Sequence, residues 1–266
     1  MILDRFRLDG RVAVVTGAGR GLGRAMALAL AAAGADVVAA ARTASQLEET
    51  AAAVQALGRR CLTVPTDVTR PDQVDRLVRT ALAELGRIDV LVNNAGGGTA
   101  GMGKPIQEIT DEEWRLGIDT NLSSVFYCCR AVVPHMQERR RGKIINVASG
   151  YGLRGGRHNY MYAAAKAAVV NITRSLALTL AGDNIQVTCI APGFFPHSEQ
   201  AGQRIRGGAY IPVGRPGRDE EIGPLAVYLA SDASDHLTGE TIVLDGGGLA
   251  GGVTPTGWAP RVALEG

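Results

Sequence analysis

The sequence predicts one α/β domain over residues 1–266, in which helices cover both faces of a doubly wound, parallel, seven-stranded sheet. Short apolar runs of strand length alternate with helix-forming segments, and this alternation is typical of a parallel sheet with right-handed crossovers. The 35 glycines cluster at the turns between these segments and form no repeat. A length of 266 residues also suits one large domain better than two small ones.

Charge and cysteine content argue against several classes of function. A net charge of +2 is too small to predict binding to nucleic acid or to an anionic membrane surface. We find no signal peptide and no apolar run long enough to span a membrane. The four cysteines lack the paired spacing of a zinc site or a redox dithiol. We therefore expect no metal, and a reducing compartment, the cytoplasm.

The first strand and the turn after it predict a nucleotide site. Val12–Thr16 is a short apolar run, the pattern of a strand buried on both faces. Gly17-Ala-Gly-Arg-Gly-Leu-Gly23 follows and leads into an alanine-rich helix that stops at Gly34. Glycines at such a turn let the backbone approach a pyrophosphate, which rests on the amides of the helix N-terminus. The turn lies between a strand and a helix, where this mechanism requires it.

Three further strands, predicted over residues 36–41, 61–64 and 88–92, complete the first half of the sheet. Ligands of such sheets lie at the carboxyl ends of the strands. Arg42, Asp67 and Asn94 all follow these ends. We expect them to meet the glycine turn in one crevice.

Capping signals position the helices between these strands. Thr43-Ala-Ser-Gln46 has the form of a capping box and begins a helix that runs to about Gly58. Pro71 suits the first turn of the next helix, and Gly86 ends it.

The second half of the chain continues the alternation. Thr110-Asp-Glu-Glu113 caps one helix that carries Asn121 and runs on towards Gln137, and a later helix ends near Leu180. Acidic residues at 219–221 suit the start of a last helix, which ends at Ala230. Strands are predicted over 143–147, 185–190 and 241–244. Residues 194–217 read as a substrate loop, and the tail 249–266 has no usable periodicity.

Tyr162-Ala-Ala-Ala-Lys166 is a candidate acid–base pair. Residues four apart lie on the same face of a helix, and a nearby cation favours the phenolate form of tyrosine. We therefore expect Lys166 to lower the pKa of Tyr162 towards neutrality, where acid–base catalysis is most effective. The pattern also occurs by chance as an exposed pair on a surface helix. Ser149, just past the fifth strand, and the glycine turn favour the catalytic interpretation.

Several motifs together resemble one known family. They occur in the order and spacing of the classical short-chain dehydrogenase/reductases, from about residue 8 to residue 248: Thr16-Gly-Ala-Gly-Arg-Gly-Leu-Gly23, Asn93-Asn-Ala-Gly96, Asn121, Ser149, Tyr162-x-x-x-Lys166, Pro192-Gly193 and Asp245-Gly-Gly247. The resemblance implies a Rossmann-type fold and an NAD(P)-dependent oxidoreductase acting on carbonyl or alcohol groups. It also implies an oligomer, a tetramer or a dimer.

The resemblance implies four catalytic residues. Ser149 and Tyr162 would donate hydrogen bonds to the substrate oxygen, and Tyr162 would pass the proton while the nicotinamide passes hydride to carbon. Lys166 would lower the Tyr162 pKa and hold the nicotinamide ribose. Asn121 would hold a water that connects Lys166 to solvent.

The resemblance also implies cofactor contacts. The glycine turn would bind the pyrophosphate, Asp67 and Val68 the adenine, residues 94–96 the adenosine ribose, and residues 192–195 would border the nicotinamide. With Arg42 added, the predicted set is Gly17, Arg20, Gly21, Leu22, Gly23, Arg42, Asp67, Val68, Asn94, Ala95, Gly96, Tyr162, Lys166, Pro192, Gly193 and Phe195. Where many relatives place a Thr or Ser that bonds the cofactor carboxamide, this sequence has His197.

The end of the second strand favours NADP over NAD. A carboxylate there would bond the ribose hydroxyls of NAD and repel a 2′-phosphate, but the sequence has Ala41. Arg42 follows, and Arg20 lies in the glycine turn, so two guanidinium groups are available for a phosphate dianion. The alternative is that Arg42 stacks on the adenine, which would leave NAD possible.

The leading interpretation of function is a carbonyl reductase or alcohol dehydrogenase with a small-molecule substrate. A 3-oxoacyl-thioester reductase and a sugar-acid or polyol dehydrogenase both remain open. The alternative from another class is a non-catalytic protein that senses dinucleotides. Such proteins usually lack part of the Ser, Tyr and Lys set, which is complete here.

Overall fold

The computed structural model describes residues 1–98, 101–196 and 211–250. Within these residues seven parallel strands form one sheet in the order β3-β2-β1-β4-β5-β6-β7. The strands are β1 Val12–Thr16, β2 Asp36–Ala41, β3 Cys61–Pro65, β4 Val90–Asn93, β5 Gly142–Val147, β6 Ile185–Pro192 and β7 Thr241–Leu244. The predicted α/β architecture is confirmed, with shifts of one or two residues at strand ends.

Helices pack on both faces of this sheet. The described α-helices are α1 Gly21–Ala32, α2 Ala44–Ala56, α3 Pro71–Leu85, α4 Asp111–Ile118, α5 Ser124–Glu138, α6 Tyr160–Leu180 and α7 Gly223–Ala230. One apolar cluster joins the sheet to α1, α2 and α7, and another joins it to α3, α5 and α6. The sheet is therefore doubly wound.

The alternation of side chains along β1 explains how one short strand serves both clusters. Val12 and Val14 belong to the cluster beneath α3, α5 and α6, whereas Ala13 and Val15 belong to the one beneath α1, α2 and α7. Successive strand residues point to opposite faces. All four are buried, so the strand reads in sequence as an unbroken apolar run.

The helix ends agree with most of the predicted signals. Thr110 and Glu113 form the predicted capping box, with both side chain–backbone hydrogen bonds present. Pro71 occupies the first turn of α3, and Gly86 ends that helix in the left-handed conformation. The capping box predicted for Thr43-Ala-Ser-Gln46 is wrong, because the Thr43 side chain makes no cap hydrogen bond.

The single helix predicted from Thr110 to Gln137 is interrupted in the structure. Between α4 and α5, Asp119–Ser123 forms a π-helical turn, and Asn121 lies within it. Such turns insert one residue into a helix and are frequent at functional sites. The last helix also differs from the prediction, since its first turn, Asp219–Ile222, is 3-10 rather than α.

Two predicted segments fall largely outside the described residues. They are the substrate loop 194–217, of which residues 194–196 and 211–217 are described, and the tail 249–266. His197 also lies outside. In the part of the chain that is described, no helix combines the length and apolar character needed to cross a membrane.

Candidate active site

A cavity of about 570 Å³ opens at the carboxyl edge of the sheet. It lies where the strand order reverses between β1 and β4, the place where ligands bind in folds of this type. Ser149 and all sixteen residues predicted to contact the cofactor line it. A larger hollow of about 890 Å³ lies over α1, between α2 and α7, but its wall is mainly alanine and other apolar residues.

The glycine turn is shaped to leave room for a ligand. Gly17 adopts a positive φ of 67°, and a Cβ at Gly23 would lie 2.1 Å from the carbonyl oxygen of Gly17. Asn94 Nδ2 donates to the carbonyl of Thr16 at 3.0 Å, and Thr16 Oγ1 accepts from the amides of Asn94 and Ala95. These bonds tie the turn after β1 to the end of β4. The backbone therefore lies open to a dinucleotide, which these residues fit.

Two arginines stand at the far end of the cavity. Arg20 and Arg42 are both exposed, and neither forms an ion pair within the described part of the chain. Gln46, which the sequence analysis assigned to a cap, instead packs on the glycine turn, where a Cβ at Gly19 would be 3.0 Å from its Oε1. Thr43 and Gln46 line the cavity beside Arg42 and were not predicted to do so. Both residues lie close after the carboxyl end of β2, and this position in the sequence could have indicated that they line the cavity.

Tyr162 and Ser149 face one another at the inner end of the cavity. Ser149 follows β5 in extended conformation, and its hydroxyl accepts a hydrogen bond from the amide of Tyr151 at 3.2 Å. Burial raises the pKa of Tyr162, and a side-chain hydrogen bond with Ser149 opposes this in part. The ring of Tyr151 lies edge-on to that of Tyr162, with centroids 6.4 Å apart.

Lys166 lies one turn further along α6 and is almost completely buried. Its Nζ donates to the carbonyl of Val147 at 2.8 Å and lies 5.7 Å from the ring centroid of Tyr162. Burial lowers the Lys166 pKa from 10.5 to about 8. The prediction that Lys166 brings the Tyr162 pKa towards neutrality is wrong for this structure, where that pKa is raised. Both groups are withdrawn from water, and burial disfavours the phenolate more than the neighbouring groups favour it.

Asn121 lies behind the cavity wall and is fully buried. Its Oδ1 accepts from the amide of Gly97 at 2.9 Å, and its Nδ2 donates to the carbonyls of Gly97 and Gly117, both at 3.0 Å. The side chain thus holds the turn after β4 against the π-helical turn. A Cβ at Gly96 would lie 2.8 Å from Asn121 Oδ1 and 3.2 Å from Lys166 Nζ. The water relay implied for Asn121 stays a prediction.

The cysteines show no feature of a reactive or metal-binding set. All four are free thiols, and burial raises the pKa of each, that of Cys61 to about 11. The described residues contain no group of three His, Cys, Asp or Glu side chains arranged to hold a metal ion.

Comparisons with known proteins agree with this site. The family model described as short chain dehydrogenase matches residues 11–204. The chain is 38% identical over 245 residues to the 3-oxoacyl-acyl-carrier-protein reductase of Thermotoga maritima, covering 91% of this chain and 98% of the relative. It is 40% identical over 260 residues to the 2-dehydro-3-deoxy-D-gluconate 5-dehydrogenase of Escherichia coli K12, and the match covers 94% of this chain and 100% of the relative.

A solved structure shares the fold over almost its whole length. It is a 7α-hydroxysteroid dehydrogenase complexed with NADH and 7-oxo glycochenodeoxycholic acid, 31% identical, with a TM-score of 0.86 and coverage of 92% of this chain and 96% of that one. Sequence, sheet topology and cavity thus lead to the same assignment. The chain belongs to the short-chain dehydrogenase family of oxidoreductases.

Proposed function

We propose that this protein is an NADP-dependent oxidoreductase that interconverts a carbonyl group and a secondary alcohol, with Tyr162 as the proton donor and acceptor. The observation that carries the proposal is that Ser149, Tyr162 and Lys166 line the same cavity as the glycine turn. The relatives are named oxidoreductases, and nothing supports the alternative of a non-catalytic dinucleotide sensor.

The chain's own residues suggest how the reaction proceeds. A nicotinamide dinucleotide, when bound, supplies or accepts the hydride. In reduction, Ser149 and Tyr162 donate hydrogen bonds to the carbonyl oxygen, and Tyr162 gives up its phenol proton as the new O–H bond forms. The raised pKa of Tyr162 keeps the phenol protonated at neutral pH, which suits this direction. Oxidation requires the phenolate, so we expect the oxidation rate to increase with pH.

Particular residues would hold the cofactor. The glycine turn would bind the pyrophosphate, because α1 begins there at Gly21 and the glycines carry no side chains that would fill the space. Asp67 and Val68 would contact the adenine, Asn94–Gly96 the adenosine ribose, and Lys166 the nicotinamide ribose. Pro192, Gly193 and Phe195 would border the nicotinamide. All of these line the one cavity.

The choice of NADP rests on the end of β2. Arg20 and Arg42 have no carboxylate partner among the described residues, and Ala41 offers no negative charge to repel a phosphate. A charged hydrogen bond contributes about 1.5–3 kcal/mol, and every ~1.4 kcal/mol is a tenfold preference. Since both guanidinium groups are exposed, we expect the lower part of this range, a preference of at least about tenfold in kcat/KM.

Steady-state kinetics with both cofactors test this choice. Ala41→Asp should reverse the preference to NAD, because its carboxylate repels the 2′-phosphate of NADP. Arg42→Ala should reduce the preference for NADP in kcat/KM, and Arg70→Ala, outside the cavity, should leave that preference unchanged. A wild-type enzyme that uses NAD as well as NADP would show that Arg42 stacks on the adenine instead.

Substrate, assembly and location complete the proposal. One relative is named a 3-oxoacyl-acyl-carrier-protein reductase and another a 2-dehydro-3-deoxy-D-gluconate 5-dehydrogenase. A screen of ketones and alcohols that includes acyl thioesters and sugar acids separates these two substrate classes. We propose a homo-oligomer, a dimer or a tetramer, which size-exclusion chromatography with light scattering measures. We also propose a cytoplasmic location, in keeping with the free thiols.

A further inference from the structure

The segment 150–160, between Ser149 and α6, forms a wall beside the proposed proton donor. Tyr151 lies edge-on to Tyr162 with ring centroids 6.4 Å apart. A Cβ at Gly152 would lie 2.7 Å from the carbonyl oxygen of Lys166, and one at Gly156 would lie 2.8 Å from the Tyr151 ring. The first close approach packs the segment against α6, and the second packs the Tyr151 ring against the backbone at Gly156.

The charged residues of this wall are Arg154 and Arg157, and the wall contains no Asp or Glu. The guanidinium carbon of Arg154 lies 5.5 Å from the ring centroid of Tyr151. Arg154 is exposed and forms no ion pair within the described residues, whereas Arg157 donates to His158 Nε2 at 3.2 Å. Arg154 is therefore the guanidinium that lies over the aromatic side chain next to Tyr162.

A guanidinium on an aromatic face is well suited to receive an anion. The cation–π attraction holds the group over the ring and leaves N–H groups available for a carboxylate, which a guanidinium binds through two parallel hydrogen bonds. Tyr151 separates the Arg154 guanidinium from Tyr162, and the two separations of 5.5 and 6.4 Å place them within about 12 Å of each other. This is an upper limit, and each end needs a hydrogen bond. A substrate reaching both would therefore separate its carbonyl and carboxylate carbons by at most about six carbon–carbon bonds of ~1.5 Å.

We propose that Arg154 is a specificity residue that binds the carboxylate of an oxo acid or hydroxy acid while the reacting oxygen lies at Ser149 and Tyr162. This rests on the proposed function, and it selects small acids over acyl thioesters as the substrate class. Arg154 takes no part in the proton transfer. Its removal should raise KM for the acid and leave the turnover of a neutral ketone unchanged.

The kinetic test uses four probes with the wild-type enzyme and NADPH: 5-oxohexanoate, its methyl ester, acetoacetyl-coenzyme A, and 2-oxohexanoate, in which a single bond joins the carbonyl and carboxylate carbons. We expect kcat/KM to be at least about tenfold higher for 5-oxohexanoate than for any of the others. Arg154→Gln should remove the advantage over the ester by raising KM for the acid alone. Arg157→Gln, three residues away on the same wall, should keep it. The proposal would be overturned if Arg154→Gln lowered kcat/KM equally for the acid and the ester, or if Arg157→Gln lowered it for the acid as much as Arg154→Gln does. It would also be overturned if the enzyme preferred acetoacetyl-coenzyme A to 5-oxohexanoate and Arg154→Gln kept that preference.

Equilibrium binding separates this inference from the proposed reaction. In the Tyr162→Phe background, with NADPH bound, calorimetry should show tighter binding of 5-oxohexanoate than of its ester, and Arg154→Gln should abolish that difference. An enzyme that binds the acid in this way but turns over no carbonyl would refute the proposed function and support the anion site. An enzyme that turns over ketones but binds the acid and the ester equally would support the proposed function and refute the anion site.

Discussion

Replacing the buried lysine of the candidate active site should make the protein more stable while inactivating it. Lys166 is 3% exposed, and its pKa falls from 10.5 to about 8 because burial disfavours the ammonium. Each pKa unit corresponds to about 1.4 kcal/mol. The buried charge therefore costs the folded state about 3 kcal/mol at neutral pH. Lys166→Met keeps the straight side chain and removes this cost.

One opposing effect reduces the gain. Lys166 Nζ donates to the carbonyl of Val147 at 2.8 Å, and the variant leaves that oxygen without this donor, at a cost of about 1 kcal/mol. Desolvation is the larger effect, so the free energy of unfolding should increase by about 2 kcal/mol at pH 7.

The pH dependence identifies the cause. Below about pH 8 Lys166 is protonated in both states, so the full cost is present. Between about 8 and 10.5 the unfolded chain keeps the proton and the folded protein has lost it, so the wild type gains stability as the pH rises. The advantage of Lys166→Met should therefore shrink between pH 7 and pH 10.

The assay is urea unfolding of the cofactor-free protein at fixed protein concentration, followed by circular dichroism at both pH values. Lys143→Met is the matched control, because Lys143 is also buried but its Nζ pairs with Asp235 Oδ1 at 2.9 Å. Burial lowers the Lys143 pKa as well, but that variant gives up the bond to Asp235 and leaves this carboxylate with only the more distant Arg5. Lys143→Met should therefore gain less stability than Lys166→Met. A less stable Lys166→Met protein, or an advantage that stays constant up to pH 10, would refute the reasoning.

Two further substitutions probe the same cluster. Tyr162→Phe should lose at least ~2 orders of magnitude in turnover, the usual contribution of a general acid, and should bind NADPH normally; Tyr160→Phe should keep its rate, and an equal loss in both would argue against the assignment. Gly96→Ala should lower both turnover and Tm, because its methyl group would lie 2.8 Å from Asn121 Oδ1. Gly182→Ala has open space around the added methyl and should change neither, so similar effects in the two would contradict the steric explanation.

The sheet and the cavity could be predicted from sequence because their signals are local. The bounds of β1, Val12–Thr16, agree with the prediction, since a strand buried on both faces is an unbroken apolar run that ends at a glycine turn. The carboxyl ends of parallel strands share one edge of the sheet. That rule alone brings Arg42, Asp67 and Asn94 to the cavity although they are far apart in sequence.

Features that depend on distant contacts could not be predicted. Residues 110–137 carry a helical pattern throughout, and the π-helical turn coincides with bonds from Asn121 to Gly97, which lies 24 residues earlier. Gln46 has a capping position in sequence, but packing on Gly19 determines where its side chain lies. The Tyr162 pKa is raised because the folded chain buries the phenol. The sequence spacing to Lys166 indicates that a charge is nearby, but it does not indicate how deeply the phenol is buried.

Two features of this structure that cost stability, the π-helical turn and the buried charge of Lys166, meet at the candidate active site. The π-helical turn carries Asn121, whose side chain uses its hydrogen bonds to hold the turn at Gly97. Gly96 in that turn has no space for a side chain because Asn121 and Lys166 Nζ fill it, and Lys166 is itself a charge withdrawn from water. A helix without the interruption and an apolar side chain at 166 would each be the better choice for folding alone. The proposed catalytic role of this cluster accounts for both departures together, whereas selection for stability accounts for neither.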